Sequence, residues 1–283
     1  MHLSILLWGL TAVLGKAIQL DGILLVWWRM MIVSASLYVY IKYTGISLAV
    51  SKPQRKQLFI VGPLLMIHWL FFYGAVKHSN VSVTLSLFSS TTLFTALIEP
   101  LVTRKRFNRI ELVYSLMAMA GIAIIFYSDK NSYTTGIFYA IMAAFVGAFF
   151  NILNKGIVQQ VSSSVVSFYE IFSGFVLLTL FLPVHIQLQQ PDKILPSPQD
   201  WILLFILAIV CTHVTLILSL NALRHLSAFT LNLAINLEPV YGIALAFLIF
   251  HENESLNSAF FIGTAIIMAS VVIHSISESR KAV

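Results

Sequence analysis

The sequence predicts an all-α integral membrane protein of about ten transmembrane helices, arranged as two inverted five-helix repeats. Three observations carry that prediction. Of the 283 residues, 59% are hydrophobic and 10% are charged, against roughly 25% charged in a soluble domain, so the chain cannot cover a water-facing globule. Apolar runs of about 20 residues, the length that crosses roughly 30 Å of hydrocarbon, recur from the first residues to nearly the last. Finally, Ala75-Val-Lys-His-Ser-Asn-Val aligns with Ala222-Leu-Arg-His-Leu-Ser-Ala at a constant offset of 147 residues, close to half the chain.

Apolar windows between polar punctuation place the spans near residues 1–18, 22–42, 57–76, 80–101, 109–127, 135–155, 163–184, 199–222, 227–250 and 256–276. The first stretch has no basic residue before it and no small-residue cleavage site, and it contains Trp8-Gly9 and Lys16, so it reads as a short span rather than a cleaved leader. The second carries Arg29 in its apolar run. Pro53 and its polar neighbours end the second span and precede the third, and Pro191, Pro196 and Pro198 do the same between the seventh and eighth. The aligned Ala-x-Lys/Arg-His stretches close the third and eighth spans and open the fourth and ninth. Residues 1–128 then form the first repeat, 134–277 the second, and 278–283 a cytoplasmic tail.

Charge sets the orientation. If the first span starts inside, the inner connections collect twelve of the seventeen Lys and Arg residues, and the outer ones receive Lys16, Lys77, Lys130 and Lys193. Basic residues favour the cytoplasmic side, so both termini are expected in the cytoplasm of a cell with this protein in its inner, plasma membrane. The net charge of +6 is thereby a topology signal; nucleic-acid binding would need a contiguous basic surface. The only cysteine, Cys211, lies inside a span and leaves no intramolecular disulfide.

Because each repeat holds five spans, an odd number, the second copy enters the membrane in the opposite sense, as in many secondary transporters. The charges agree: Arg104-Lys105-Arg106 corresponds at the same offset to His251-Glu252-Asn253, basic on the inner side and acidic or neutral on the outer.

The run from Asn221 through Leu237-Glu238-Pro239-Val240-Tyr241-Gly242 to Phe250-His251-Glu252 resembles the second repeat of EamA-type transporters of the drug/metabolite transporter superfamily. Trp8-Gly9 with Lys16, Arg29 and Tyr73-Gly74-Ala75 resemble marks of the first repeat. The resemblance spans essentially the whole chain and implies a ten-helix fold with a central substrate cavity lined mainly by spans one, three, four, six, eight and nine. The first repeat departs from the pattern: Lys105 stands where the family often has glutamate, and Thr91-Thr92 stand opposite Glu238-Pro239.

Ionisable groups inside hydrocarbon are costly and are functional candidates by default. Glu238 lies midway along span nine, before a proline that cannot donate to the helix ladder, as expected of a substrate or ion site; its alternative role is to cap freed backbone groups. Asn232 and Asn236, four residues apart, share a helix face and can bond a polar solute. Trp8, Tyr73 and Tyr241 are candidates to stack on an organic substrate or simply to pack, and Asn151 and Asn154 to face the cavity. Lys16 and Arg29 either snorkel to the interface or form a positive site for a carboxylate or phosphate. Glu170 and His213 are candidates for a proton relay, His68 and Glu99-Pro100 for function or packing, and His274 for a structural role. Gly62, Gly121, Gly147, Gly174, Gly242 and Gly263 are expected to let helices approach closely.

Cys-x-x-Cys, His-Glu-x-x-His, P-loop and dinucleotide fingerprints are absent from the sequence, so no metal or cofactor is expected. The expectation is a secondary transporter, not an enzyme, that exports a small organic metabolite such as an amino acid by alternating access with proton coupling. Its partners are then the substrate and the lipid bilayer, with room for a homodimer. A membrane-embedded lipid-modifying enzyme and a non-transporting scaffold are the rival classes.

Overall fold

The structure, a computed structural model, describes residues 2–104, 106–128, 133–235, 237–252 and 256–281. Lys105, Lys130, Asn236 and Asn253 lie outside the described residues, as does the His274 side chain. Everything regular among the described residues is helix: α1 (His2–Ala17), α2 (Gly22–Tyr43), α3 (Lys52–His78), α4 (Val81–Phe88), α5 (Thr91–Thr103), α6 (Arg109–Ser128), α7 (Thr134–Ile157), α8 (Ser163–Gln189), α9 (Pro198–Phe205), a π-helical turn (Ile206–Val214), α10 (Thr215–His225), α11 (Ala228–Ile235), α12 (Glu238–Phe250) and α13 (Ser258–Lys281).

The starts of these helices are set by side chains that take up orphan N–H groups. Asp21 accepts from the backbone of Ile23 and Leu24 at the head of α2. Ser51 and Gln54 form a reciprocal capping box at α3, with proline in the first turn, and Ser197 and Asp200 do the same at α9. Among the described residues seven helical stretches are long and apolar enough to cross a membrane, and Leu3–Ala17 and Ser258–Ser270 are shorter apolar helices. Large apolar side chains such as Leu101 (69% exposed) and Leu248 (76%) face outward, the surface that a lipid environment requires and water penalises.

Three crossing stretches are not continuous α-helix. Val81–Thr103 is split into α4 and α5, Ala228–Phe250 into α11 and α12, and Pro198–His225 contains the π turn. The first two breaks match: α4 and α11 are eight residues each, α5 and α12 thirteen, and every boundary is displaced by 147 positions. The likeness extends to caps. The Asn80 side chain accepts from Val83 N, and the Ser227 hydroxyl from Thr230 N; α5 and α12 both end on left-handed residues, Arg104 (φ 56°) and His251 (φ 53°).

Close backbone contact fixes the packing. A Cβ on Gly9 would lie 3.0 Å from Gly242 N, and one on Gly242 3.0 Å from Gly9 O, so α1 and α12 cross with backbone against backbone. At Gly62 a Cβ would fall 2.3 Å from Glu170 O, where α3 meets α8. Small residues allow such approach in a bundle that has no hydrophobic drive between its helices.

Candidate functional site

At the centre of the bundle lies a cavity of about 100 Å³, room for several waters or a small solute. Its walls come from α1 (Trp8, Thr11), α3 (His68, Trp69, Phe72), α4 (Phe88), α7 (Phe150, Asn151), the π turn and α10 (Thr212, Thr215), and the α11–α12 break (Ile235, Glu238). Those are the six spans that the resemblance implied. The second span joins them through Arg29.

Arg29 is 2% exposed and does not snorkel. Its Nε donates to Thr212 Oγ1 (2.8 Å), Nη1 donates to the Tyr73 hydroxyl (2.6 Å), and the guanidinium lies over the Trp69 ring, 3.8 Å from its centroid. Trp69 and Tyr73, four residues apart on α3, present one face to the cation, and a desolvated cation over tryptophan is held by about 2 kcal/mol. The π turn supplies the third contact: Thr212 donates to Leu207 O (2.6 Å), five residues back, which leaves its oxygen facing Arg29. Widened turns of this kind recur at functional sites.

Glu238, at the first position of α12, is 4% exposed and lines the same cavity. No hydrogen bond or ion pair engages its carboxylate among the described residues, and it is not in salt-bridge contact with Arg29. The site therefore holds a buried cation, braced by neutral partners, and a separate buried carboxylate across one cavity. Burying ionisable groups is costly, which marks the pair as a candidate site.

The remaining polar groups orient the wall. Trp8 Nε1 donates to Thr215 Oγ1 (2.9 Å). His68 Nδ1 lies 2.9 Å from Ala143 O; since a carbonyl only accepts, that nitrogen carries the hydrogen. Asn151 Nδ2 donates to Asn232 Oδ1 (2.5 Å), and Asn232 Nδ2 donates to Thr95 Oγ1 (2.7 Å).

Of the residues expected from sequence, Glu238, Trp8 and Asn151 share the cavity. Asn232 and Tyr73 are fully buried one step behind it, holding Asn151 and Arg29. Tyr241 is 36% exposed beside Gly9 and is not among the cavity-lining residues, and Lys16 sits at the end of α1 in an ion pair with Glu252. Asn236 lies outside the described residues. The structure does not bring Glu170 and His213 together: His213 Nδ1 bonds Ser36 Oγ (2.8 Å) on α2 with its ring against Tyr40. Glu170 is fully buried on α8 with the Asn154 side chain beside it, and neither side chain reaches hydrogen-bond geometry. Among the described residues no group of three or more His, Cys, Asp or Glu is placed to hold a metal ion.

Sequence reasoning set Arg29 between two roles and left Thr212 and Trp69 unmarked. The available signal was that Arg29 is the one Lys or Arg assigned to neither side of the membrane.

The helical bundle thus carries a mainly apolar cavity with Arg29, Asn151 and Glu238 among its polar lining residues. The chain belongs to the EamA-like transporter family, whose profile matches residues 1–127 and 134–276. It is 24% identical over 202 residues to the uncharacterized transporter YxxF of Bacillus subtilis strain 168, covering 69% of this chain and 62% of that protein. An uncharacterized transporter of Clostridium kluyveri is 24% identical over 74% of this chain and 67% of its own length. A protein of known crystal structure shares the fold with a TM-score of 0.72 at 17% identity, covering 99% of this chain and 96% of that one. The chain is thus a multi-pass membrane protein of the EamA-like transporter family, and it spans about 62% of the length of the Bacillus subtilis relative.

Proposed function

We propose that this protein is a secondary transporter that exports a small zwitterionic metabolite, such as an amino acid, across the inner membrane by alternating access. Ten spans form two inverted five-helix repeats with both termini in the cytoplasm; the Lys16 end faces outward and the Lys155 end inward. The observation that supports the substrate class is the placement of Arg29 and Glu238, unpaired with each other, on one cavity whose other walls include Trp8, Trp69, Phe72, Phe88 and Phe150. A carboxylate fits against the guanidinium, bidentate geometry favouring arginine for that task, and an ammonium fits against Glu238. Trp8, Phe88 and Phe150 then face the remainder of the solute.

Proton coupling is assigned to Glu170, a buried carboxyl with no hydrogen bond to either oxygen among the described residues that can carry a proton between two states of the bundle. His213 is placed elsewhere and has no part in this reading.

The experiment is a thermal-shift screen of purified protein against amino acids, their decarboxylated amines and their deaminated acids, at two pH values. Ligands that bind the folded state raise its stability by mass action. Zwitterions should stabilise more than either singly charged analogue. Equal shifts for all three series, or none for any zwitterion in a broad library, would remove the proposed substrate class.

A further inference from the structure

We propose that Glu252 and Glu99 are reciprocal latches, each closing one end of the cavity by gripping the N-terminus of the broken span in the opposite repeat. Glu252 follows α12. Its Oε1 accepts from Val81 N (3.1 Å), and its Oε2 accepts from Ser82 N (2.9 Å) and Ser82 Oγ (2.6 Å), at the head of α4. Glu99, on α5, accepts through Oε2 from Phe229 N (3.2 Å) at the head of α11. Ser82 and Phe229 are 147 positions apart, so the two contacts engage equivalent helix starts.

The chemistry suits a latch. The first N–H groups of a helix have no intrahelical partner and carry partial positive charge, so a carboxylate that swings in satisfies them and one that swings out returns them to water. Lys16 reinforces the first contact: its Nζ lies 2.7 Å from Glu252 Oε1 and 4.5 Å from the centre of the Phe250 ring, which ties α1 into the same closure. Each gripped helix carries a cavity residue at its far end, Phe88 at the end of α4 and Ile235 at the end of α11. Moving the N-terminus thereby moves the cavity wall. On the inverted-repeat reading the two contacts lie at opposite ends of the bundle: the group that follows the C-terminus of α12 meets the start of α4, and the group near the C-terminus of α5 meets the start of α11.

This assignment rests on the alternating-access reading, and it is tested without a substrate. In a Cys211→Ala background, Thr11→Cys on α1 reports access to the cavity from either face through its rate of reaction with a membrane-impermeant maleimide in right-side-out and inside-out vesicles. Glu252→Gln should raise labelling from one face about tenfold, and Glu99→Gln should raise it comparably from the other, as expected when a charge-assisted contact biasing a two-state equilibrium is lost. Lys16→Met should act in the direction of Glu252→Gln and add little to it in the double variant; it carries the outer test if Glu252→Gln does not fold. Unchanged labelling in folded variants, or opening of the same face by both carboxylate changes, overturns the latches. A protein whose labelling follows the latch variants but that moves no solute loses the transport reading alone; one that transports while its labelling ignores them loses the latches alone.

Discussion

Glu238→Gln keeps the shape of the cavity wall and removes a carboxyl group that no side chain engages among the described residues. If a ligand ammonium sits against Glu238, that contact is a hydrogen bond to a charged group, worth about 1.5–3 kcal/mol, so the dissociation constant should rise about 10- to 150-fold. The loss should be selective. With purified protein in nanodiscs and calorimetric titration, the amino acid and its decarboxylated amine should both weaken by that factor. The deaminated acid, which contacts Arg29 but has no ammonium, should bind nearly as before. Equal weakening of all three ligands would mean that the substitution deforms the cavity, and unchanged binding of the amino acid would refute the role of Glu238.

Thr212→Val removes the acceptor of Arg29 Nε and leaves a buried N–H of a charged group unpaired, a cost of about 1–3 kcal/mol; the thermal midpoint should fall, while Thr212→Ser, which keeps the oxygen, should restore most of it. Gly9→Val places a side chain 3.0 Å from the Gly242 backbone and should lower both stability and transport, whereas Gly156→Val, with nothing within 4 Å of its Cβ position, should leave both nearly unchanged. Burial pushes the Glu252 carboxyl up, but the bonds from Lys16 and Ser82 outweigh it and hold the group below the usual carboxylate range. Its contribution to stability is therefore present at neutral pH and lost as pH falls through that lowered value; the acid limb of a midpoint-against-pH curve should flatten in Glu252→Gln.

Much of the fold was legible because the bilayer sets helix lengths and the connections hold the charge and proline. The expected span at 80–101 became Val81–Thr103 and that at 227–250 became Ala228–Phe250. The Glu238-Pro239 pair announced the α11–α12 break. Its counterpart near Ser89 and Ser90 has no proline and went unseen, and the π turn left no mark in an apolar run.

The site was legible in depth and obscure in direction around each helix. In a membrane a helix is apolar both toward lipid and toward its neighbours, so periodicity does not reveal which way a side chain points. Glu238, Trp8 and Asn151 fell on the cavity; Tyr241, three residues beyond Glu238, fell outside it. Arg29 illustrates the same limit. Its depth permits snorkelling, and only Thr212, Tyr73 and Trp69, brought together from distant parts of the chain, turn it inward.

In the proposed function Arg29 and Glu238 jointly hold a zwitterion in transit. Counterflow in proteoliposomes tests it most directly: vesicles preloaded with an unlabelled amino acid that stabilises the protein are diluted into its labelled form. Transient accumulation by the wild-type protein, and its loss in folded Glu238→Gln and Arg29→Gln variants, is the expected result. Undiminished counterflow in both folded variants would contradict it.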